Sequence, residues 1–583
     1  MDNVKNKTAL ITGGASGIGY DVATKLLQGG AKVVAVLDLS TSPGPTSVAN
    51  LEKQFGKGSA LFFPCDVSNT KQFEETFKKV WNQLNGVDIM INNAGILNDK
   101  EWQRTVNVNV TGLIQGSLLA MEYMGKHKGG KGGTILNYAS IVALEIYSPF
   151  PVYCASKHDV MAFSRSLQGL YHNTGVRVLV ICPGITDTPL VSNLQNKLFD
   201  FVTAEDLQNR IKNLPTQPVE NVARAIVTLI QKGENGSIWI SEGNQPPRGV
   251  VFPPVQYVDL NFESPASTSS YANGNRSKMM TQEQEVSVVS VREAKLQPVT
   301  TTTFMSTSTD SQIIRMQIKD KRALVTGAAS GLGLTICREL LRNGAAIIAM
   351  IDIQESSGKE AMEALNAEFG KQRAVFFQCD VANNSEFDDT FKKVITMLGG
   401  LEILVNNASV IDEGNFAKVI DVNVTAVIRG TLLGIQQMQK DSGGKGGVIV
   451  NISSVAGLHF LSQLPVYSAS KHAVVSFSRS FAQPYHYQRT GVRIIVMCPD
   501  LSQPLNAENL SSTLPQDEII QRYYRRVDSI AHGLIYVIRC AQNGSVWISE
   551  DGKPVYEIQL PDSLPQKPDD PLLKTDENEI KIK

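Results

Sequence analysis

The sequence has almost no net charge: 55 Lys and Arg stand against 56 Asp and Glu, a formal −1. No bulk field draws such a chain to nucleic acid or to an anionic membrane, which excludes the basic binding proteins before any motif is considered. Long apolar runs are missing too. Nothing approaches 18 consecutive apolar residues, so no membrane-spanning helix is expected. The run Ala9–Ile11 is too short for the core of a secretory signal. Cysteine is sparse, at seven residues, and no pair is spaced Cys-x-x-Cys. An odd count in a long chain does not describe a disulfide framework. Cys65, Cys182, Cys379 and Cys498 fall at or beside expected strand ends and read as free buried thiols, which points to the cytoplasm. No metal site is expected.

What is present is a repeat. Gly13 and Gly327, Asp38 and Asp352, Asn92 and Asn406, and Tyr153 and Tyr467 all stand 314 positions apart. That period is far too long for a solenoid and describes a tandem of whole domains. A chain of 583 residues, 42% apolar and 19% charged, has the length and balance for two such globular units. Between them, residues 252–316 are rich in Ser and Thr, as in SPASTSSYANGN and VTTTTFMSTSTDS. With few large apolar residues this segment is expected to be a disordered linker. As a flexible coil it would span roughly 45 Å, enough to let the two copies pack together. The expected organisation is copy one at 1–251, copy two at 317–560 and a polar tail at 561–583.

Copy one opens with an apolar strand, Thr8–Thr12, followed by Gly13-Gly-Ala-Ser-Gly17-Ile-Gly19 and a helical pattern. Glycines at a strand-to-helix turn allow a tight bend and close backbone approach, and the helix N-terminus offers N–H groups to a pyrophosphate. A glycine-rich loop alone can also be an ordinary turn. The second strand ends at Asp38, whose carboxylate can accept from both hydroxyls of an adenosine ribose. Leu39 and Ser16 leave no basic residue ready for a 2′-phosphate, which favours NAD over NADP. Asp66-Val67 after a third strand can hold adenine. Asn92-Asn93-Ala94-Gly95 after a fourth has small residues where backbone would approach the cofactor. Strands then alternate with helices through Ser241. This is a doubly wound parallel α/β sheet, met twice.

Ser140, Tyr153 and Lys157 form the chemical centre. Tyr153 and Lys157 lie one helical turn apart on one face. A phenol ordinarily loses its proton near pH ~10, and a fixed ammonium beside it is expected to lower that value towards neutral-pH acid–base work. A lone Tyr-x-x-x-Lys is usually a solvated helix face; here Ser454, Tyr467 and Lys471 repeat the set. Asn109 falls within the helical run Trp102–Met124. It is either a surface residue or one whose amide opens the helix to a water.

TGGASGIG, Asp38, Asp66-Val67, NNAG, Asn109, Ser140, YCASK and PGITDT, in this order, resemble the short-chain dehydrogenase/reductase family. The resemblance covers copy one to about residue 250 and copy two from about 317 to 560. Within the family, LFFPCDV, VYCASKH and GVRVLVICPG look most like the 15-hydroxyprostaglandin dehydrogenases, with the insect alcohol dehydrogenases next. The resemblance implies an NAD-dependent oxidoreductase. Tyr153 would remove the alcohol proton, Ser140 would hold the substrate oxygen, Lys157 would bind the nicotinamide ribose, and Asn109 would position a relay water. Gly13, Ser16, Gly17, Ile18, Gly19, Asp38, Asp66, Val67, Asn93, Ile185 and Thr188 would hold the cofactor. In copy two it implies catalytic Asn423, Ser454, Tyr467 and Lys471, and cofactor-binding Gly327, Gly331, Leu332, Gly333, Asp352, Asp380, Val381 and Asn407. It further implies a pairing of the copies as an intrachain pseudo-dimer, or a homo-oligomer, and a lid over the substrate at Leu190–Ile211. That segment could equally be ordinary helix burial.

Departures from the family bear on the substrate. Prostaglandin-oxidising members carry a Gln three residues before the Tyr; Phe150 and Leu464 stand there. Prostaglandins are thereby in doubt, and a lipophilic secondary alcohol or its ketone is the matching class. Ser409 replaces the closing Gly of NNAG in copy two, and Cys498-Pro-Asp500-Leu-Ser-Gln503 replaces its Pro-Gly-x-x-x-Thr turn. Weak NAD binding or poor turnover is expected of copy two. The alternative for the whole chain is a non-catalytic NAD-binding or scaffolding protein.

Overall fold

The computed structural model describes residues 4–212, 214–250, 316–500, 516–550 and 553–561, with backbone alone at 204 and 516–525. The expected linker, residue 316 apart, lies outside the described residues, as do the tail beyond 561 and the copy-two turn at 501–503. In copy one the elements run β1 (Thr8–Thr12), α1 (Gly17–Gln28), β2 (Val33–Asp38), α2 (Gly44–Phe55), β3 (Ala60–Pro64), α3 (Thr70–Leu84) and β4 (Ile89–Asn92). There follow α4 (Trp102–Val106), α5 (Leu113–Met124), β5 (Gly133–Tyr138), α6 (Pro151–Gln168), α7 (Tyr171–Thr174), β6 (Val176–Pro183), β7 (Ile185–Thr186), α8 (Ala204–Ile211), β8 (Thr216–Gln217), α9 (Val219–Lys232), β9 (Ile238–Ser241) and β10 (Arg248–Gly249).

The main sheet has the order β10-β9-β6-β5-β4-β1-β2-β3. It is parallel except for β10, which runs antiparallel to β9; the sequence pattern had ended at β9. Strands such as β1 are buried along their whole length because helices cover both faces, and such strands are apolar runs rather than alternating ones. The order reverses between β1 and β4, and ligands bind in this fold at the carboxyl ends of strands flanking such a reversal. The β7–β8 pair forms a separate two-stranded sheet.

Copy two repeats the plan: β11 (Arg322–Thr326), α10 (Gly331–Arg342), β12 (Ile347–Asp352), α11 (Glu355–Phe369), β13 (Ala374–Gln378), α12 (Asn384–Leu398) and β14 (Ile403–Asn406). It continues α13 (Phe416–Ile420), α14 (Ala426–Met438), β15 (Gly447–Ile452), α15 (Pro465–Phe481), α16 (Pro484–Thr490), β16 (Val492–Pro499), α17 (Gln516–Cys540), β17 (Val546–Ser549) and β18 (Tyr556–Ile558). Its sheet order is β13-β12-β11-β14-β15-β16-β17-β18.

Helices α6 and α15, which carry the two Tyr/Lys pairs, pack against each other. Cys154 Sγ is 3.5 Å from Ser476 Oγ, which is itself 2.9 Å from His158 Nδ1. The Arg165 guanidinium lies 3.8 Å over the Phe460 ring, and Arg429 lies 5.2 Å over Trp102. Phe163, Leu167, Phe477 and Phe481 belong to one continuous apolar cluster that draws residues from both copies. His158 and His472 are packed at this contact, and burial pushes both imidazoles down to about 4, so they are neutral at pH 7. Among the described residues no helix is long and apolar enough to cross a membrane.

Candidate active site

The turn after β1 is built on two close approaches. At Gly13, φ is +65°, and a Cβ would sit 2.9 Å from Ala94 Cα; at Gly19 it would sit 2.3 Å from the Gly13 carbonyl oxygen. Both distances are shorter than any side chain tolerates, so the backbone itself must occupy this space. Asn93 fixes the turn from the neighbouring strand end, donating from Nδ2 to the carbonyls of Thr12 and Gly13 at 2.9 and 3.0 Å. Ser16 caps α1 without a side-chain hydrogen bond. The first-turn N–H groups of Gly17, Ile18 and Gly19 are therefore left to a ligand or water. Asp38, at the end of β2, accepts from Ala15 N at 3.0 Å and Leu39 N at 2.8 Å. Copy two has the same turn, with Asp352 accepting from Ala329 N at 2.9 Å and Asn407 donating to Thr326 and Gly327.

Ser140 stands just past β5. Its Oγ accepts from Val142 N at 3.4 Å and donates to the Pro183 carbonyl at 3.5 Å. Lys157 Nζ donates to the Tyr138 carbonyl at 2.9 Å and lies 5.6 Å from the centre of the Tyr153 ring. The expected lowering of the phenol does not occur among the chain's own residues. Burial pushes Tyr153 up to about 12, with Ser140 pulling against it, and burial pushes Lys157 down to about 8. Desolvation opposes the charged form of each group, and the Lys157 head is turned to a carbonyl rather than to the phenol.

Asn109 sits in a π-helical turn, Asn107–Gly112, between α4 and α5, so the helical run Trp102–Met124 is interrupted at this residue. Its Oδ1 accepts from Ile96 N at 2.8 Å, and its Nδ2 donates to Ile96 O at 2.9 Å and Ser156 Oγ at 3.1 Å. The amide thus ties the loop after β4 to α6. Asn423 makes the same bonds to Val410 and Ser470. Deeper in the sheet Asn92 donates to Asn137 Oδ1 at 2.8 Å, and Asn137 to Ser164 Oγ at 2.9 Å. That ladder pins α6 to the strand ends and was not foreseen from sequence.

Nor was Asp99. Fully buried, it accepts from Val152 N at 2.9 Å and Tyr153 N at 3.0 Å. It closes the start of α6, where Phe150 supplies no cap. Its own N–H donates to the Lys197 carbonyl at 2.8 Å. Burial pushes its carboxyl up to about 7, against the two N–H bonds. Glu413 does the same for α15, accepting from Val466 N and Tyr467 N at 3.0 and 2.8 Å. The two acids stand 314 positions apart, and that shared register was the one signal available.

In copy one the glycine turn, Asp38 and the Ser140–Tyr153–Lys157 centre open on one cavity of about 930 Å³. Its wall takes in Gly13, Ser16, Gly17, Ile18, Gly19, Asp38, Asp66, Val67, Asn93, Ser140, Tyr153, Lys157, Ile185 and Thr188. Asn109 stands behind the wall. Leu190, Val191, Leu194 and Ile211 cover the far side, and Tyr147 and Phe150, stacked with ring centres 6.2 Å apart, line the end near Tyr153. The residues suit a dinucleotide: a backbone cradle that admits no Cβ, orphan helix N–H groups, and a carboxylate at the next strand end.

The short chain dehydrogenase profile matches residues 7–198 and 321–514. The chain belongs to the short chain dehydrogenase family. It is 40% identical over 243 residues to 15-hydroxyprostaglandin dehydrogenase [NAD(+)] of Rattus norvegicus, across 40% of this chain and 91% of that protein. The Homo sapiens protein of the same name is 41% identical over 243 residues, with the same coverage. Alcohol dehydrogenase 1 of Ceratitis cosyra is 34% identical over 241 residues, 41% of this chain and 93% of its own length. Among solved structures, the C-domain of a bacterial malonyl-CoA reductase with NADP matches with a TM-score of 0.60 at 14% identity, covering 92% of this chain and 96% of that one; this likeness concerns the fold alone.

In copy two, Ser454, Tyr467 and Lys471 keep their geometry, Lys471 Nζ donating to Ile452 O at 3.2 Å. A difference is Ser409, whose hydroxyl donates to Asn423 Oδ1 at 3.1 Å and pulls down on a Tyr467 phenol that burial raises. At the matching Gly95 a Cβ would lie 3.3 Å from Asn109 Oδ1 and 3.6 Å from Lys157 Nζ. Ser409 therefore places a side chain beside Asn423, where copy one has none beside its Asn109 and Lys157.

Proposed function

We propose that the chain is an NAD-dependent dehydrogenase of lipophilic secondary alcohols, hydroxy fatty acids or prostaglandin-like alcohols among them, with copy one carrying the turnover. The observation behind this reading is the single cavity that joins the glycine turn and Asp38 to Ser140, Tyr153 and Lys157. Gly13, Ser16, Gly17, Ile18 and Gly19 hold the pyrophosphate, Asp38 the adenosine ribose, and Asp66 and Val67 the adenine, while Asn93, Ile185 and Thr188 face the nicotinamide half. Bound there, NAD supplies the hydride acceptor. Ser140 Oγ holds the substrate oxygen, Tyr153 Oη exchanges its proton, and Lys157 binds the ribose and relays the proton inward. Asn109 holds the loop at Ile96 and positions a relay water. The apolar lid and the Tyr147–Phe150 wall select a hydrocarbon-rich substrate. Seven free thiols fit a reducing compartment, the cytoplasm.

Copy two, with Gly327, Gly331, Leu332, Gly333, Asp352, Asp380, Val381 and Asn407 at its nucleotide side and Asn423, Ser454, Tyr467 and Lys471 at its centre, acts as the lesser or inactive partner of an intrachain pseudo-dimer. The Ser409 contacts favour this second reading for copy two. The test is NADH absorbance with a panel of hydroxylated fatty acids and prostaglandins. Tyr153→Phe abolishes turnover and Tyr467→Phe leaves most of it; if neither substitution changes the rate, the assignment of roles is wrong.

A further inference from the structure

The contact between the copies extends beyond α6, through Phe481 at the end of α15, to Phe199 and Phe201 of copy one. Helix α16 and the end of α15 lie under the segment that covers copy one's cavity. The Tyr485 hydroxyl donates to the Phe201 carbonyl. His486, 2% exposed, donates from Nε2 to the Ser148 carbonyl at 3.1 Å. Phe199 and Phe201 stack with centres 5.0 Å apart and lean together on Phe481, at 5.9 and 5.7 Å. The Arg489 guanidinium lies 4.7 Å over Phe201.

These contacts do not stop at the surface. Leu198, Val202 and Leu207 of the covering segment share one apolar cluster with Phe150 and Tyr153, and Tyr485 packs against it. A continuous set of packed side chains therefore runs from α16 of copy two to the phenol of copy one. The residues 314 positions earlier, Tyr171 and His172 of α7, are exposed, with Tyr171 at 37%.

We propose that copy two completes the substrate site of copy one: Tyr485, His486 and Phe481 are positioning residues that hold the lid at 198–211 closed over the alcohol. Copy one holds the inner side of the lid: the Lys197 carbonyl accepts from Asp99 N at 2.8 Å, and Arg210 donates to the Ile146 carbonyl at 3.1 Å. Helix α8 has eight residues, too few to be stable without packing, and its neighbours 189–197 form only short 3₁₀ turns. Copy two adds packing of its own, Phe481 and Arg489 against Phe199 and Phe201. Copy two would then be required for substrate selection whether or not it turns over substrate itself.

The kinetic arm of the test rests on the dehydrogenase reading; the exchange arm does not. Both use the full chain, comparing wild type with Tyr485→Phe, which deletes only the hydroxyl, and with Tyr171→Phe as the control on the exposed counterpart. Amide hydrogen exchange at 198–211 should rise several-fold in Tyr485→Phe and stay at the wild-type rate in Tyr171→Phe. KM for the alcohol should rise several-fold, with kcat, KM for NAD and Tm unchanged. Unaltered exchange in the lid would overturn the proposal. So would an unchanged alcohol KM in an enzyme that turns over, or equal losses in every parameter together with Tm, which mark a merely structural role. If wild type oxidises no alcohol, the dehydrogenase reading fails, and the exchange result alone decides the buttress.

Discussion

Replacing Asp99 tests how the reactive tyrosine is aimed. The carboxylate takes the N–H groups of Val152 and Tyr153, at 2.9 and 3.0 Å, in a site with no exposure to solvent. Asp99→Ala leaves both donors buried without partners, at a cost of about 1–3 kcal/mol each, so a loss of roughly 2–6 kcal/mol in stability is expected. Asp99→Asn keeps one acceptor and turns an NH₂ towards the other donor, for a loss of about 1–3 kcal/mol. Because one of the two donors belongs to Tyr153, kcat should also fall by on the order of ten- to a hundredfold. The pH dependence separates this from a generic defect. Burial raises the Asp99 carboxyl from 3.8 to about 7, so the folded state favours the protonated acid. The stability this confers is fully present below the unfolded value, and is lost as pH rises through about 7. Asn does not titrate, so denaturant unfolding should find the gap between wild type and Asp99→Asn narrowing from pH 5 to pH 8. A gap that widens with pH would mean that the two N–H bonds, not burial, govern this carboxylate, and would refute the reasoning.

Other outcomes follow from the same geometry. Gly19→Ala drives a methyl to 2.3 Å from the Gly13 carbonyl oxygen, and Gly333→Ala one to 1.9 Å from the Gly327 carbonyl oxygen, so isothermal titration of NAD into a Gly333→Ala background should show the remaining, copy-one binding lost when Gly19→Ala is added. With Tyr153 at about 12 and Lys157 at about 8, alcohol oxidation should accelerate as pH rises from 7 to 10 while ketone reduction slows; a flat profile in both directions would exclude the phenol as the titrating group. Gly95→Ser in copy one should lower kcat at little cost in stability, and Ser409→Gly in a Tyr153→Phe background should raise residual turnover, both followed by NADH absorbance.

Much of this was legible in the sequence, and what was not has physical causes. The two sheets and the glycine turns could be read because strand runs and turn glycines are local signals. The helix Trp102–Met124 was legible as a helix, but not its π-turn at Asn107–Gly112, which is set by Asn109 bonding to Ile96 thirteen residues earlier. Asp99 looked like any loop acid because the helix it caps begins 52 positions later. The acidity of Tyr153 was misjudged because the Tyr–Lys spacing reports proximity and not burial. Desolvation raises the phenol, and it also lowers the ammonium expected to help it.

The retained tetrad of copy two is weak evidence of activity, because these residues also have structural work there. Lys471 is 2% exposed and donates to the Ile452 carbonyl, and Ser453 donates to the carbonyl of Lys471. Ser454 caps the short turn that follows β15. Asn423 binds the loop at Val410 to Ser470. Removing any of them strands a buried polar group next to α15, and α15 is the helix against which α6 of copy one packs. A second copy that had lost its chemistry would still need this set to present α15 and α16 to the first. The residues that bear on turnover in copy two are therefore those with no part in that contact, Ser409 foremost, since its hydroxyl stands beside Asn423, where Gly95 puts no side chain beside Asn109.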